Sequence, residues 1–178
     1  TSGSLTISAG DTTATFSVRV LADSIDEAND TATLTLSGVS STATISDATA
    51  TLTIIDDDNP PSLSINDVTA ANEDATNREF TVTLSAASSL EITVNYATSD
   101  GTATAGADYT AISATTLTFS PGQTTKTFNV AVLADALDEA NETVTLTLSS
   151  VGNAAGSDAT GTLTITDDDA TPLLFRPN

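Results

Sequence analysis

Acidic residues recur in matched short stretches along this chain. Its 24 Asp and Glu residues face only four Lys and Arg, which gives a net charge of -20. Two stretches have the pattern LAD-x-x-DEAN and two contain the triplet DDD, one of each in either half of the sequence. The acids within these stretches or directly after DEAN are Asp23, Asp26, Glu27, Asp30, Asp56, Asp57 and Asp58 in the first half, and Asp135, Asp138, Glu139, Glu142, Asp167, Asp168 and Asp169 in the second.

Such carboxylates repel one another when crowded, so the stretches favour a bound cation. The sequence has no His, Cys or Met, which removes the usual ligands of zinc, copper and haem. Calcium takes six to eight oxygen ligands in loose geometry and suits Asp and Glu on loops better than magnesium does. A solvated acidic surface that only keeps the protein soluble is the alternative interpretation.

The same composition excludes several classes of function. Nucleic acid and anionic membrane surfaces would be repelled by a charge of -20. No apolar run is long enough to span a membrane. Without His or Cys an ordinary acyl-transfer triad cannot form, so we expect a protein that is not an enzyme.

An internal repeat carries these stretches. Residues 5–37 align with 117–149 at an offset of 112, with 23 identities in 33 positions, and SDATATLTIIDDD at 46–58 aligns with SDATGTLTITDDD at 157–169. The sequence therefore predicts the second half of one repeat at 1–58, a Pro-rich linker at 59–61, a complete repeat at 62–169, and a linker or tail at 170–178. We expect the chain to be a piece of a longer array.

The elements that must position the acids are strands. Thr alternates with apolar residues at 143–148 and 162–166, and similar alternation occurs at 80–84, 92–96, 117–119 and 128–132. Turn residues such as Asp100-Gly101 and Pro121-Gly122 separate these runs. About seven short strands in some 108 residues predict an all-β fold, an immunoglobulin-like seven-stranded antiparallel sandwich. In such a sandwich the loops that carry the two acidic stretches can meet at one end.

In combination, the motifs SDGTATAGADY, LTFSPGQTTKTFNV, LADALDEANETVTLTLS and the closing DDD resemble the Calx-β domain over 62–169, and 1–58 resembles the second half of another. The resemblance covers nearly the whole chain. Members of this family occur in the regulatory domains of sodium/calcium exchangers, in an integrin β-subunit tail and in long bacterial surface proteins. In its calcium-binding members several ions lie at one tip of the sandwich.

The resemblance also implies a set of ligands. In the complete repeat these are Glu73, Asp108, Asp135, the main-chain carbonyl of Leu137, Glu139, Glu142, Asp167, Asp168 and Asp169; in the half repeat they are Asp23, Glu27, Asp30, Asp56, Asp57 and Asp58. Strong binders have a further acid where this chain has Ala134, and Ala22 in the first copy. We therefore expect fewer ions or weaker affinity. Glu73 and Asp108 belong to the second copy, and the half repeat has no residues that correspond to them.

Taken together, these features predict a calcium-binding extracellular or cell-surface module that serves as a rigidified spacer or adhesion repeat of a larger protein. Its partners would be calcium ions, neighbouring repeats of the same chain and a cell-surface or matrix ligand. A calcium sensor and a plain acidic spacer without metal remain as alternatives.

Overall fold

A computed structural model of the chain describes residues 2–40, 42–69, 72–74, 76–156 and 159–170. They form two compact units, the first from Thr1–Ser24 and Asp30–Ile54, the second from Ile25–Asn29 and Ile55–Asn178. Most of the predicted tail at 170–178 lies outside the described residues. The described residues include no helix that is long and apolar enough to cross a membrane.

The first unit contains one antiparallel hairpin. Strand β1 (Asp30–Thr35) pairs with β2 (Thr49–Ile54), with Asp30 opposite Ile54 and Thr35 opposite Thr49. Apolar side chains of this unit stay accessible: Phe16 is 60% exposed and Leu36 is 50% exposed, while Leu34 and Leu52 are half-buried.

The second unit is a two-layered β-sandwich, which confirms the predicted fold class. One sheet has the order β10-β3-β5-β8 and the other β4-β11-β9-β6-β7. Seven of its described strands have four residues or more and two have two residues each. Their bounds are β3 (Ser62–Ile65), β4 (Val68–Thr69), β5 (Asn77–Leu84), β6 (Ile92–Asp100), β7 (Thr115–Phe119), β8 (Thr125–Ala131), β9 (Glu142–Gly152), β10 (Ala155–Gly156) and β11 (Thr160–Ile165).

Most neighbouring strands of the sandwich run antiparallel, with two exceptions at the sheet edges. The opening segment of the unit contributes β3 to one sheet and β4 to the other. Strand β4 pairs in parallel with β11, with Val68 opposite Leu163 and Thr69 opposite Thr164, and β10 pairs in parallel with β3. The second strand of the opening segment, β4, is therefore the hydrogen-bonded neighbour of the last strand, β11.

Alternation of apolar and polar residues builds the core between the sheets, because successive side chains of a strand point to opposite faces. Along β5, Phe80, Val82 and Leu84 are buried, and the residues between them are more accessible. The ring of Phe128 on β8 stacks on Phe80 at 5.7 Å between centroids, and on Tyr96 of β6, in the facing sheet, at 4.0 Å. These rings join the two layers.

A close backbone approach fixes the loop after β6. A Cβ on Gly101 would overlap the main-chain carbonyl oxygen of Thr143, and the Ala103 N–H donates to that same oxygen at 3.1 Å. Glycine at position 101 thus allows this loop to lie against the start of β9. Asp108, in the loop, and Glu142, at the start of β9, are brought to one end of the sandwich as a result.

Candidate metal centre

Four connections converge at one end of the sandwich. Asn77 pairs with Ala131, so β5 begins where β8 ends, and Ile165 pairs with Glu142, so β11 ends where β9 begins. Asp100 pairs with Val144, which places the end of β6 there too. The residues before β5, after β6, between β8 and β9 and after β11 therefore share this region. We call it the acidic end; it carries Glu73, Asp108, residues 132–142 and residues 166–169.

The first group of acids at this end lies partly inside the protein. Glu73, Asp167 and Asp169 each offer a carboxylate oxygen within 4.8 Å of the others. Glu73 is only 8% exposed, and its main-chain N–H donates to Asp168 Oδ1 at 3.4 Å. The loop before β5 is thus tied to the segment after β11, and its carboxylate points into the cluster.

The second group is more accessible and consists of Asp108, Asp135 and Glu139, again with ligand atoms within 4.8 Å of one another. Local hydrogen bonds orient two of these carboxylates. Asp108 Oδ2 accepts from the Thr104 N–H at 2.6 Å, and Asp135 Oδ1 accepts from the Leu137 N–H at 2.7 Å. Each of these two acids keeps a second carboxylate oxygen for another partner.

Hydrogen bonds connect the two groups. The Glu139 N–H donates to Asp167 Oδ1 at 3.2 Å, and the Asp167 N–H donates to Asn141 Oδ1, also at 3.2 Å. Asn141 was not among the predicted site residues. The signal for it was its recurrence in the DEAN motif, because its counterpart Asn29 accepts from the Asp56 N–H at 2.9 Å in the same way.

The electrostatics of the cluster show a deficit of positive charge. Burial raises the pKa of Glu73 from 4.5 to about 7, assisted by a hydrogen bond with Asp169 and by the charges of Asp135, Asp167 and Asp169. Glu73 Oε1 and Asp169 Oδ2 are buried and have no hydrogen-bond partner among the described residues. A buried anionic oxygen without a donor is costly, and a cation is the partner that would offset the cost.

The more accessible group behaves similarly. Desolvation raises the pKa of Glu142 to about 7, together with the charge and hydrogen bonding of Asp108 and the charges of Glu139 and Asp135. Desolvation, and then the charges of Asp135 and Asp108, also raise the pKa of Glu139. The donor set is entirely oxygen, spread over four connections, and fits the six to eight oxygen ligands that calcium takes.

The predicted ligands are distributed as follows. In the complete repeat, Glu73, Asp108, Asp135, Glu139, Asp167 and Asp169 come together, and Glu142 and Asp168 adjoin them. Leu137 is 61% exposed and its N–H binds Asp135, while a role for its carbonyl stays a prediction. Of the half repeat's residues, the first unit contains Asp23 and Asp30 and the second contains Glu27, Asp56, Asp57 and Asp58; a site there also stays a prediction.

The raised pKa values predict an unusual pH response once calcium is removed. Glu73 and Glu142 have pKa values of about 7 when folded, against 4.5 ordinarily. Between these values the folded protein binds more protons than the unfolded chain, so the free energy of unfolding rises as the pH falls. We expect the melting temperature of the calcium-free sandwich to be about 4–8 °C higher near pH 5.5 than near pH 7.5. Differential scanning calorimetry would measure this difference. A melting temperature that falls on acidification would contradict the prediction.

Comparison with known proteins gives a consistent result. The family model of the Calx-beta domain matches residues 1–58 and, separately, residues 56–169. No curated protein matches the sequence. Among solved structures, the apo form of the Calx CBD1 domain superposes with a TM-score of 0.57 at 25% identity; the match covers 61% of this chain and 98% of that one.

Two further solved structures match a similar share of the chain. CBD12 from CALX1.2 matches with a TM-score of 0.56 at 26% identity over 61% of this chain. The calcium binding domain CBD12 of CALX1.1 matches with a TM-score of 0.55 at 27% identity over 60% of it. This chain spans 44% and 46% of the length of these two chains. The matched part of the chain is in each case about the size of one sandwich.

Proposed function

The chain belongs to the Calx-beta domain family, and we propose that this member binds calcium at the acidic end of its complete repeat. One observation carries the proposal: Glu73 Oε1 and Asp169 Oδ2 are buried inside a cluster of acids, and no described residue donates a hydrogen bond to either oxygen. The 27% identical CBD12 of CALX1.1, named as a calcium binding domain, supports the choice of ion.

The acids fall into two groups, each of which would bind an ion at a different position. Glu73, Asp167 and Asp169 would hold the more buried ion position, and Asp108, Asp135 and Glu139 the more accessible one. The N–H groups of Leu137 and Glu139 orient the carboxylates of Asp135 and Asp167, and Asn141 holds the main chain of Asp167. Calcium would supply the positive charge that the cluster lacks. Ala134, where strong binders carry a further acid, favours a small number of ions.

The physiological role we propose is that of a non-enzymatic spacer or adhesion module in a larger extracellular or cell-surface protein. The tandem family matches at 1–58 and 56–169 support a repeat array, and the net charge of -20 supports a cation-rich medium. Bound calcium would stiffen the sandwich by tying together four connections that otherwise repel one another. Extracellular calcium would keep such a site filled.

Calcium binding to the folded state alone stabilises it by about 2.7 kcal/mol when free calcium is 100 times the dissociation constant. For a domain of this size we expect the melting temperature to rise by about 10 °C or more, and to fall again when chelator is added. Calorimetric titration of the 178-residue chain gives stoichiometry and affinity.

Magnesium at the same concentration is the matched control and should do less, because it demands a tighter octahedral shell and dehydrates reluctantly. No heat of binding and no shift in melting temperature with calcium would remove the proposal and leave a plain acidic spacer. A localisation experiment with antibody on intact cells of the source organism tests the surface role separately.

A further inference from the structure

A short segment far from the sandwich in sequence is built into it. Residues Ile25–Asn29 belong to the same compact unit as residues from Ile55 onward. Asp26 forms a parallel β-bridge with Ser88, in the loop between β5 and β6. Asp26 is 7% exposed and Ser88 is 2% exposed, so both polar groups are removed from solvent. Buried polar groups need partners, and these two provide them for one another.

Four contacts hold Asp26 in place. Ser88 Oγ donates to Asp26 Oδ2 at 2.7 Å and lies 3.0 Å from the Asp26 carbonyl oxygen. That carbonyl also accepts from the Ser89 N–H at 3.0 Å, with Ser89 Oγ at 3.4 Å. The Leu90 N–H donates to Ser88 Oγ at 3.0 Å, which orients the hydroxyl. Residues 88–90 thus form a specific receptor that binds both the carboxylate and the main-chain carbonyl oxygen of one Asp residue.

The receptor lies at the end of the sandwich opposite the acidic end. Strand β5 runs from the acidic end toward Ser88, and the Gly122 N–H of the β7–β8 turn donates to the Ser88 carbonyl oxygen at 2.9 Å. We call this region the Ser88 end. The sandwich thus carries the receptor at one end. At its other end it carries a second copy of the segment that the receptor binds.

That repeat is residues 137–141, LDEAN, aligned with IDEAN at Ile25–Asn29. The two segments share local geometry, since Asn29 accepts from the Asp56 N–H and Asn141 from the Asp167 N–H. Their environments differ: Asp138, the counterpart of Asp26, is exposed, and Leu137 is 61% exposed. Within the described part of the chain, residues 137–141 therefore present the same docking element with no receptor bound to Asp138.

We propose that residues 137–141 dock onto the Ser88 end of a further copy of this sandwich, with Asp138 accepting from that copy's Ser88 hydroxyl. The contact is head-to-tail and does not close on itself, so it builds a linear array. Chain length agrees: 62 residues separate Asp26 from Ser88, and a copy of residues 59–169 placed directly after Asp169 would put its Ser88 at nearly the same separation from Asp138. The proposal does not rest on calcium binding.

The test compares Asp138→Ala in two chains, both in chelator. One is the 178-residue chain; the other is residues 1–169 followed by a second copy of 59–169. Loss of a hydrogen bond to a charged group is destabilising, so we expect the added copy's melting temperature to fall by about 5–15 °C in the extended chain. In the 178-residue chain, where Asp138 is exposed, the same change should shift the melting temperature of the sandwich by less than about 2 °C.

A double-mutant cycle distinguishes docking from a local effect. Ser88→Ala in the added copy should give a similar loss, and the two changes together should cost no more than either alone. Asp138→Asn, which keeps an acceptor oxygen, should recover part of the loss. Asp26→Ala in the 178-residue chain shows how large a fall in melting temperature to expect when such a contact is lost. Equal, small effects of Asp138→Ala in both chains, or fully additive effects with Ser88→Ala, would overturn the proposal.

Discussion

Glu73→Gln is expected to abolish most of the calcium-dependent rise in melting temperature while raising the melting temperature of the calcium-free protein. Both effects have one cause. Glu73 is buried among acids, and its pKa of about 7 records how strongly the calcium-free cluster disfavours its charge. A neutral amide of the same shape removes that repulsion, but it also removes an anionic ligand from the group with Asp167 and Asp169.

The size of the effect can be bounded. Changes even to groups that only support metal ligands cost about 10–100-fold in affinity, so loss of a ligand should cost at least that. At calcium concentrations that saturate the unchanged protein, a 100-fold loss removes nearly the whole stabilisation of about 2.7 kcal/mol. Calorimetric titration and thermal unfolding with and without calcium measure the two effects separately.

Glu91→Gln is the matched control, because it makes the same change of charge at an exposed position outside the acidic end. It should leave both the calcium response and the calcium-free stability nearly unchanged. If Glu73→Gln behaved like this control, the cluster would be an ordinary acidic surface. If it destabilised the calcium-free protein instead, Glu73 would serve a structural role that its contacts do not reveal.

Phe128→Ala should cause the largest loss of stability of any single change considered. Its ring is 7% exposed and stacks on Phe80 of its own sheet and on Tyr96 of the other. Removal of a buried Phe side chain costs about 3–5 kcal/mol, so the sandwich should melt about 15 °C or more below the unchanged protein. Urea unfolding followed by circular dichroism would measure the difference in free energy.

The repeat supplies a control for this change as well. Phe16 occupies the position of Phe128 in the half repeat and is 60% exposed in the first unit. Phe16→Ala should therefore leave the unfolding transition of the sandwich within about 0.5 kcal/mol of the unchanged protein. Comparable losses at both positions would mean that burial of the ring at position 128 is not what stabilises the fold.

Much of the fold could be predicted because its cause is local. Period-two alternation at 143–148 and 162–166 is a property of neighbouring residues, and both runs form strands of the sandwich, β9 and β11. The meeting of LAD-x-x-DEAN with DDD at one end followed from the order of the strands. The two-residue strands β4 and β10 had no such signal, since two residues cannot show a period.

The environment of the individual acids could not be predicted, because it depends on distant parts of the chain. Asp26 and Asp138 have nearly the same neighbours in sequence, yet Asp26 is buried against Ser88 and Asp138 is exposed. Likewise, burial raises the pKa of Glu73, and acids more than 60 residues away in the sequence raise it further. Charge patterns identified the acidic stretches. Only the three-dimensional arrangement distinguishes Asp26, which binds another loop of the protein, from Glu73, which lies in a cluster suited to a cation.

The parallel pairing of β4 with β11 has a mechanical consequence. The chain enters the sandwich at the Ser88 end and leaves it at the acidic end, and β4, in its opening segment, lies beside the last strand, β11. Tension along the chain pulls these two strands past one another in opposite directions. Their hydrogen bonds are then loaded in shear and must break together rather than in succession, as they would if the strands were peeled apart. Such a sandwich resists tension applied to the two ends of its chain.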